Sequence, residues 1–170
     1  MSMGTEIDFI GFADDCRVEG KVDLDEDARL ADMLNRRPTI MVRGATVTST
    51  LDGHTQVLEE LEISRDELDI VVASGPRGDP RRRLATSPNS VSMKLGPYSA
   101  EGFMHGPPTS NPVSDIGHRS PMVALNDVVL EYQFSGEAVS EWHRTLLVNR
   151  QMAMSLRSVA APSAFQPGVV

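Results

Sequence analysis

Cysteine, lysine, aromatic residues and long apolar runs are all scarce in this chain of 170 residues. Cys16 is the single cysteine, so the chain can form neither an intrachain disulfide nor a zinc site built from several cysteines. No apolar run approaches the roughly 20 residues that a membrane-spanning helix needs. Residues 1–6 lack the basic and then apolar pattern of a secretory signal, and we therefore expect a cytoplasmic protein.

Charge is unevenly distributed along the chain. The 24 acidic and 16 basic residues give a net charge of −8, which disfavours general binding to a nucleic-acid backbone. Residues 1–74 contain 17 acidic and 7 basic residues, a net charge of −10, whereas residues 75–90 carry +3 and the remainder −1. Because the second half has fewer charges to keep other proteins away, we expect it to make the main protein contact.

The chain matches itself when it is shifted by 82 to 86 residues. Cys16–Gly20 then aligns with Tyr98–Gly102, and residues 61–65 align with residues 146–150. Turn residues, the parity of apolar positions and the order of elements agree between the two halves, which is typical of an internal duplication. A single mixed domain with accidental similarity is the alternative.

Each half shows the pattern of several short strands and one helical piece. Ile7 and Phe9 alternate with polar residues, which is the two-residue period of a half-buried strand. Leu30, Met33 and Leu34 have helical spacing and follow a run of acidic residues that favours a helix N-terminus. The second half repeats the strand with Val91, Met93 and Leu95, and it replaces the helix with a single helical turn within residues 113–118.

The longest strand of each half changes the parity of its apolar residues part-way along. Such a change requires one extra residue, a β-bulge, and small barrels use bulges to bend a long strand through both sheets. Gly44 and the pair Asn126–Asp127 are suitable occupants of the bulge. The apolar residues that show the change are Ile40, Val42, Ala45 and Val47 in the first half, and Val123, Leu125, Val128 and Leu130 in the second.

Three short motifs stand out in the two halves: the Glu–Gly pair of strand two, the helical segment Arg29–Asn35 in the first half and the closing segment Leu146–Arg150 in the second. Together they resemble an uncharacterised family of small bacterial β-barrel proteins. The resemblance covers most of both halves, although each half carries it unevenly. It implies an SH3-like or Sm-like barrel fold and no established activity.

We therefore predict a mainly β protein that contains two tandem small barrels. Each barrel has five strands, with a short helix or helical turn between strands two and three. The predicted parts are a first barrel over residues 1–74, a basic linker rich in proline and glycine over 75–88, a second barrel over 89–158 and a flexible tail over 159–170.

The four histidines do not form a recognisable catalytic or metal-binding motif. His54, His105, His118 and His143 lack the close spacing of a metal-ligand pair, and no Gly-x-Ser-x-Gly sequence is present. The neighbourhood of His118 contains serine and aspartate, but adjacency along the chain does not supply the geometry of a catalytic triad.

Acidic residues and the cysteine also favour structural interpretations. Asp23, Asp25 and Asp27 alternate like the start of a calcium loop, but Ala28 and Leu34 occupy the positions that need glycine and glutamate. We expect Cys16 to be a structural thiol at the start of strand two. The sequence thus predicts no catalytic residue, no metal site and no cofactor, and we do not expect an enzyme.

Arginines of the linker are the candidate ligand-binding residues. Arg77 and Arg81 are four residues apart and precede Ser99 of the second predicted barrel. This arrangement resembles the PilZ family of cyclic-di-GMP receptors. In that family an arginine pair binds the phosphates and guanines of the dinucleotide. Pro97 departs from the family pattern, which has an acidic or amide residue there, and the spacing from the arginines to the serine is short. The candidate residues are Arg77, Arg81, Arg82, Arg83 and Ser99.

These observations favour a non-enzymatic scaffold, assembly or adaptor protein. Short barrels expose edge strands that can pair with another chain, so we expect a protein partner or self-association. The alternative is a nucleic-acid or cyclic-dinucleotide binding module that uses the linker arginines. RNA-binding barrels need basic grooves and exposed aromatic residues, and aromatic residues make up only 5% of this chain.

Overall fold

The computed structural model describes residues 4–25, 28–74, 87–106, 111 and 113–159. These residues form ten β-strands and one short α-helix, α1 (Leu30–Arg36). The strands are β1 (Thr5–Phe12), β2 (Cys16–Leu24), β3 (Thr39–Ser49), β4 (Thr55–Ser64), β5 (Ile70–Val72), β6 (Ser87–Leu95), β7 (Tyr98–Gly106), β8 (Met122–Phe134), β9 (Glu137–Asn149) and β10 (Ala153–Ser158).

All ten strands belong to a single antiparallel sheet. Their order is β10-β6-β7-β8-β9-β5-β1-β2-β3-β4, so each half of the chain contributes five neighbouring strands in the same relative order. The two halves meet where β5 pairs with β9. β4 and β10 lie at the two edges, and among the described residues each of them pairs with one neighbour only.

Two hydrophobic clusters fill the two halves, and each includes residues from the other half. The first cluster packs α1, through Leu34, against the inner residues of β1 to β4, and it also contains Met122 and Leu147 of the second half. The second cluster is formed by the inner residues of β6 to β9 and also contains Phe12 and Ile70 of the first half. The cores are therefore joined through the pairing of β5 with β9.

The predicted parity change in the third strand of each half is confirmed. Val42 and Ala45 are both fully buried in β3, and Leu125 and Val128 are both fully buried in β8. An odd spacing between residues on one face requires an extra residue, and the strand register shifts against β2 and against β7 at these points. The backbone has positive φ at Gly44 (57°) and, at the corresponding place, Asp127 (49°).

A glycine in the second strand of each half lies against this bulge. A Cβ atom at Gly20 would lie 2.5 Å from Val42 Cγ1 and 2.8 Å from the carbonyl oxygen of Arg43. A Cβ atom at Gly102 would lie 2.9 Å from the carbonyl oxygen of Asn126. The Glu–Gly pairs of the sequence thus mark close backbone approach between neighbouring strands.

A second pair of matching contacts lies near the end of each half. The backbone N–H of Arg65 donates to the carbonyl of Pro38 at 2.8 Å, and that of Arg150 donates to the carbonyl of Pro121 at the same distance. Both arginines begin a 3-10 turn that leads into the last strand of their half, Arg65–Glu67 and Arg150–Met152. The two halves therefore return the chain to the sheet in the same way.

The prediction of a mainly β protein is confirmed, but the sheet is not closed into a barrel. The last strand of the first half, β5, pairs with β1 on one side and with β9 of the second half on the other. The described strands thus form one open sheet rather than two closed ones, because the edge that β5 presents is occupied by the other half. No helix within the described ranges is long and apolar enough to cross a membrane.

Replacing Gly20 with alanine tests the close approach at the bulge. The added Cβ meets backbone as well as the Val42 side chain, so relaxation of a side chain alone cannot accommodate it. We expect Gly20→Ala to lower the free energy of unfolding by about 2 kcal/mol or more, measured by urea denaturation. Gly117→Ala is the matched control, because a Cβ there meets nothing within 4 Å. Equal effects of the two substitutions would contradict this reading of the bulge.

Candidate functional site

A three-residue ladder joins the two halves. β5 and β9 pair Ile70 with Val148, Val71 with Leu147, and Val72 with Leu146. Neighbouring residues of β5 and β9 contribute to different core clusters, since Val71 and Leu147 belong to the first and Ile70 and Val148 to the second. The ladder therefore shares its side chains between both cores.

Two asparagine side chains hold the halves together beside the pairing of β5 with β9, which is called the joint below. The side chain of Asn149, which is fully buried, donates to the carbonyl oxygens of Arg65 (3.2 Å) and Leu68 (3.1 Å). Asn35, at the end of α1, donates to the carbonyl of Met122 at 3.2 Å and accepts from its N–H at 2.9 Å. Both side chains satisfy backbone groups of the opposite half, which makes the joint specific as well as apolar.

Three aromatic rings pack next to the ladder. Phe12 of the first half lies edge-on to Tyr98 and Tyr132 of the second, with ring centroids 5.4 and 5.5 Å away. The hydroxyl of Tyr98 donates to the carbonyl of Ala13, in the turn between β1 and β2. Burial raises the pKa of Tyr98 well above its ordinary value, with a further contribution from Asp69. Tyr98 is thus a neutral hydrogen-bond donor across the joint.

A pair of carboxyl groups lies beside these rings. Asp69, immediately before β5, is fully buried, and within the described part of the chain no N–H or O–H group donates to either of its carboxylate oxygens. Asp14 is its neighbour, from the turn between β1 and β2. Gly96 leaves room for both groups, because a Cβ there would lie 2.9 Å from Asp14 Oδ1 and 3.6 Å from Asp69 Oδ2.

A proton on Asp69 would supply the missing donor. Burial, and secondly the hydrogen bond and charge of Asp14, raise the pKa of Asp69 from 3.8 to about 7. A protonated carboxyl can donate to its neighbour, whereas two carboxylates in contact repel each other. Asp69 therefore stays protonated to a higher pH than an ordinary aspartate.

A cavity of about 740 Å³ opens above Asp14 at the joint. Its walls come from the turn after β3, from the turn between β6 and β7, and from the hairpin of β8 and β9. The lining residues are Asp14, Thr50, Leu51, Pro97, Ser99, Glu131, Tyr132, Gln133, Gly136, Ala138, Val139 and Ser140. These lining residues include carboxyl groups but no lysine, arginine, histidine or cysteine. The lining therefore suits neither a phosphate ligand nor a serine–histidine pair.

A row of hydrogen bonds joins Tyr132 of β8 to two side chains on the inner side of β9. The hydroxyl of Tyr132 donates to Glu141 Oε1 at 2.8 Å, and Glu141 Oε2 lies 3.0 Å from His143 Nε2. Burial, followed by the bond to Glu141, raises the pKa of Tyr132 to about 12. These hydrogen bonds pair polar groups that a half-buried strand would otherwise leave without partners.

The outer face of the second half carries an apolar strip formed by Phe103, Val129 and Trp142. Val129 is directly opposite Trp142 on β9 and opposite Glu101 on β7, and Phe103 follows Glu101 on the same face. Their exposed fractions are 39% for Phe103, 39% for Val129 and 62% for Trp142. Exposed large apolar residues on three neighbouring strands form a surface patch rather than isolated exceptions.

The ligand-binding residues expected from the sequence are only partly located. Ser99 lies in β7, is half-buried and lines the cavity. Arg77 and Arg81–Arg83 lie outside the described residues, as does most of the predicted linker. Their proposed binding of a phosphate ligand stays a prediction.

The histidines and the cysteine occupy separate places in the fold. His54 follows the β3–β4 turn, His105 lies on β7 and His118 in the 3-10 turn Ile116–His118. Cys16 begins β2 as expected; burial, and secondly the charge of Asp15, raise the pKa of its thiol, which disfavours the reactive thiolate. Within the described ranges no group of three or more His, Cys, Asp or Glu side chains could hold a metal ion.

Two features of this region were missed by sequence reasoning. Nothing in the spacing of Asp14 and Asp69 indicates that they meet, because 54 positions of strand, turn and helix separate them. The apolar strip could have been predicted, since Val129 and Trp142 stand at positions whose parity points outward from their strands. An aromatic residue on the predicted outer face is the signal that could have found it.

Comparisons with protein-family models, curated proteins and solved structures gave no match to this chain. The resemblance to an uncharacterised family of small β-barrel proteins therefore stays a prediction, as does the resemblance to PilZ.

Asp69→Asn tests the shared proton. The folded protein binds a proton at Asp69 that the unfolded chain releases near pH 4, so the contribution of Asp69 to stability falls as the pH rises from about 4 to above 7. Asparagine keeps a donor to Asp14 at every pH. We expect Asp69→Asn to flatten this slope and to stabilise the protein at pH 8 by about 1 to 3 kcal/mol in urea denaturation.

Asp66→Asn provides the control for this substitution. Asp66 is exposed and lies three positions before Asp69, so its replacement changes the same charge outside the pair. An unchanged pH slope in Asp69→Asn, or an equal change in both variants, would contradict the shared proton.

Proposed function

We propose that the chain is a non-enzymatic scaffold or adaptor protein that contacts its partner through the outer face of its second half. The observation that carries this proposal is the apolar strip of Phe103, Val129 and Trp142. Tryptophan is the residue most enriched among those that dominate binding energy, and Trp142 is 62% exposed. A partner would cover a patch that costs free energy to keep in water.

The first half shows that the fold does not require this strip. In the first half, Thr46 is opposite Glu19 and Val57, just as Val129 is opposite Glu101 and Trp142 in the second. Lys21 stands in the place of Phe103, after the same register shift, and its ammonium group is paired with Asp8. At these three positions the first half has Lys21, Thr46 and Val57, of which only Val57 is apolar, and Val57 is 74% exposed. The second half has three apolar residues there, two of them aromatic, and this difference supports a role for the strip beyond folding.

This comparison between the two halves rests on a proposed duplication of one five-stranded unit. Matching bulges, matching close approaches at Gly20 and Gly102, and matching bonds of Arg65 and Arg150 support it. Within this proposal each half is a small barrel-like unit, and the last strand of the first unit, β5, also pairs with β9 of the second. One unit kept a charged surface, and the other acquired the contact surface.

Charge around the strip indicates the chemistry of the partner. Glu101 lies directly opposite Val129, and Glu131 follows Val129 on the same face of β8. The strip is therefore apolar at its centre, with two glutamates beside Val129 and the exposed Arg144 beyond Trp142 on the same face of β9. It fits a protein surface that offers an apolar patch with a lysine or arginine next to Glu101 and Glu131, since complementary charge at the rim favours association.

Val129→Arg is the variant that tests the contact. It places a charge at the centre of the strip, and we expect it to weaken binding of the partner at least about 100-fold. Thr46→Arg, at the corresponding position of the first half, is the matched control and should leave binding intact. The measurement is a titration of the purified partner, isolated with the full-length chain, by fluorescence of Trp142, the single tryptophan.

Two outcomes would contradict the proposal. One is an equal effect of Val129→Arg and Thr46→Arg, or no shift of Trp142 emission on complex formation. The other is tight, salt-sensitive binding of RNA or cyclic dinucleotides that Arg81→Ala with Arg82→Ala abolishes, because the linker would then carry the main function.

A further inference from the structure

The strands at the two edges of the sheet correspond to the two strands that pair at its centre. Ser64 ends β4 and its side chain accepts from the N–H two residues on; Asn149 ends β9 and does the same. The 3-10 turns that begin at Arg65 and Arg150 then lead into β5 and β10. β4 therefore corresponds to β9, and β10 corresponds to β5.

Pairing of β5 with β9 thus leaves a complementary pair of edges at the two ends of the described sheet. Among the described strands, β4 has the position of β9 but no neighbour in the place of β5, and β10 has the position of β5 but no neighbour in the place of β9. Unpaired edges present backbone N–H and C=O groups that can bond to another strand. The direction of the strands fits as well, because β5 and β9 are antiparallel.

We propose that copies of this chain associate head to tail, with β10 of one copy pairing antiparallel to β4 of the next. The contact repeats between copies the ladder that joins β5 to β9 within each copy. It extends the proposed scaffold function by naming a second copy of the chain as one partner, and it does not use the apolar strip. Such a contact uses two different surfaces and leads to rings or open filaments.

Counting from the matching arginines gives the register of this contact. Leu61, Glu62 and Ile63 take the places of Leu146, Leu147 and Val148. Ser155, Leu156 and Arg157 take those of Ile70, Val71 and Val72. Ser155 then faces Ile63, Leu156 faces Glu62, and Arg157 faces Leu61 of the next copy.

Opposite charges on the two edges support a second copy as the occupant. Residues 59–62 of β4 contain three glutamates and one leucine, and all three glutamates are exposed. β10 carries the exposed Arg157, and Lys94 is exposed on the adjoining strand β6, opposite Ser155. Acidic and basic edges attract each other, whereas two copies of the same edge repel.

Three polar residues make the contact between copies weaker than the internal joint, since Ser155, Arg157 and Glu62 take the places of Ile70, Val72 and Leu147. Leu147 is 2% exposed in the first core cluster, and its counterpart Glu62 would have to approach Leu156 of the neighbouring copy. A carboxylate loses hydration there without gaining a partner on Leu156. The association is therefore reversible and depends on protein concentration, and Glu62 limits its strength.

Sedimentation equilibrium of the full-length protein tests this contact. We expect the average mass to exceed the 18.5 kDa of one chain, to rise with protein concentration and to fall with added salt. Arg157→Glu should weaken association about tenfold, because it places like charges on facing edges. Glu62→Leu restores the residue type of the internal joint and should strengthen association about tenfold.

Control variants separate this contact from other causes of association. Arg144→Glu makes the same charge change on the outer face of β9, away from both edges, and should not alter the mass. Val129→Arg should not alter it either, so loss of the partner contact and loss of self-association are distinguishable. Circular dichroism and thermal melting establish that each variant is folded.

Several results would overturn the proposal. One is a mass of a single chain at every concentration for both the wild type and Glu62→Leu. Another is association that responds to Val129→Arg but not to Arg157→Glu or Glu62→Leu, since the strip would then hold the copies together. An equal response to Arg157→Glu and Arg144→Glu would show a general effect of charge instead of pairing between edges.

Discussion

Pairing between β5 and β9 is the interaction on which the rest of the molecule depends. It is only three residue pairs long, yet it supplies side chains to both core clusters and positions Asn149 and Asp69. A strand as short as β5 contributes few hydrogen bonds of its own, so its place is fixed by burial of its apolar residues and by the asparagine bonds around it. Because the pairing occupies the edge of β5, it also determines that the sheet stays open and which strands are exposed at its ends.

Local features of the sequence predicted local features of the fold well. Apolar alternation located β1 and β6, and helical spacing of Leu30, Met33 and Leu34 located the buried face of α1. The parity change predicted the bulges at Gly44 and Asp127, since an odd spacing of buried residues has few other causes in a strand. These signals are carried by residues close together in the chain, where geometry follows from the order of side chains.

Relations between distant segments could not be predicted in the same way. Two small closed barrels and one open sheet have the same alternation of apolar residues, because β5 would bury the same side chains whether its second edge paired with β4 of its own half or with β9. The meeting of Asp14 with Asp69 depends on the joint and on the space left at Gly96, and neither is visible in the spacing of acidic residues. For the candidate surface, the low charge of the second half favoured the half that also carries the strip, but the choice of Phe103, Val129 and Trp142 required the register of three strands.

The short β5 has a consequence for the order in which the protein folds. β1 to β4 are joined by local connections and can form as soon as the first half has left the ribosome, whereas the Asn149 side chain bonds to Leu68 across 81 positions of sequence. Contacts of such long separation form late because closing a long loop costs entropy. Until β9 is synthesised, Phe12 and Ile70 lack the second-half residues that cover them in the finished protein. During synthesis the first half therefore exposes apolar side chains at its edge until the second half folds against it.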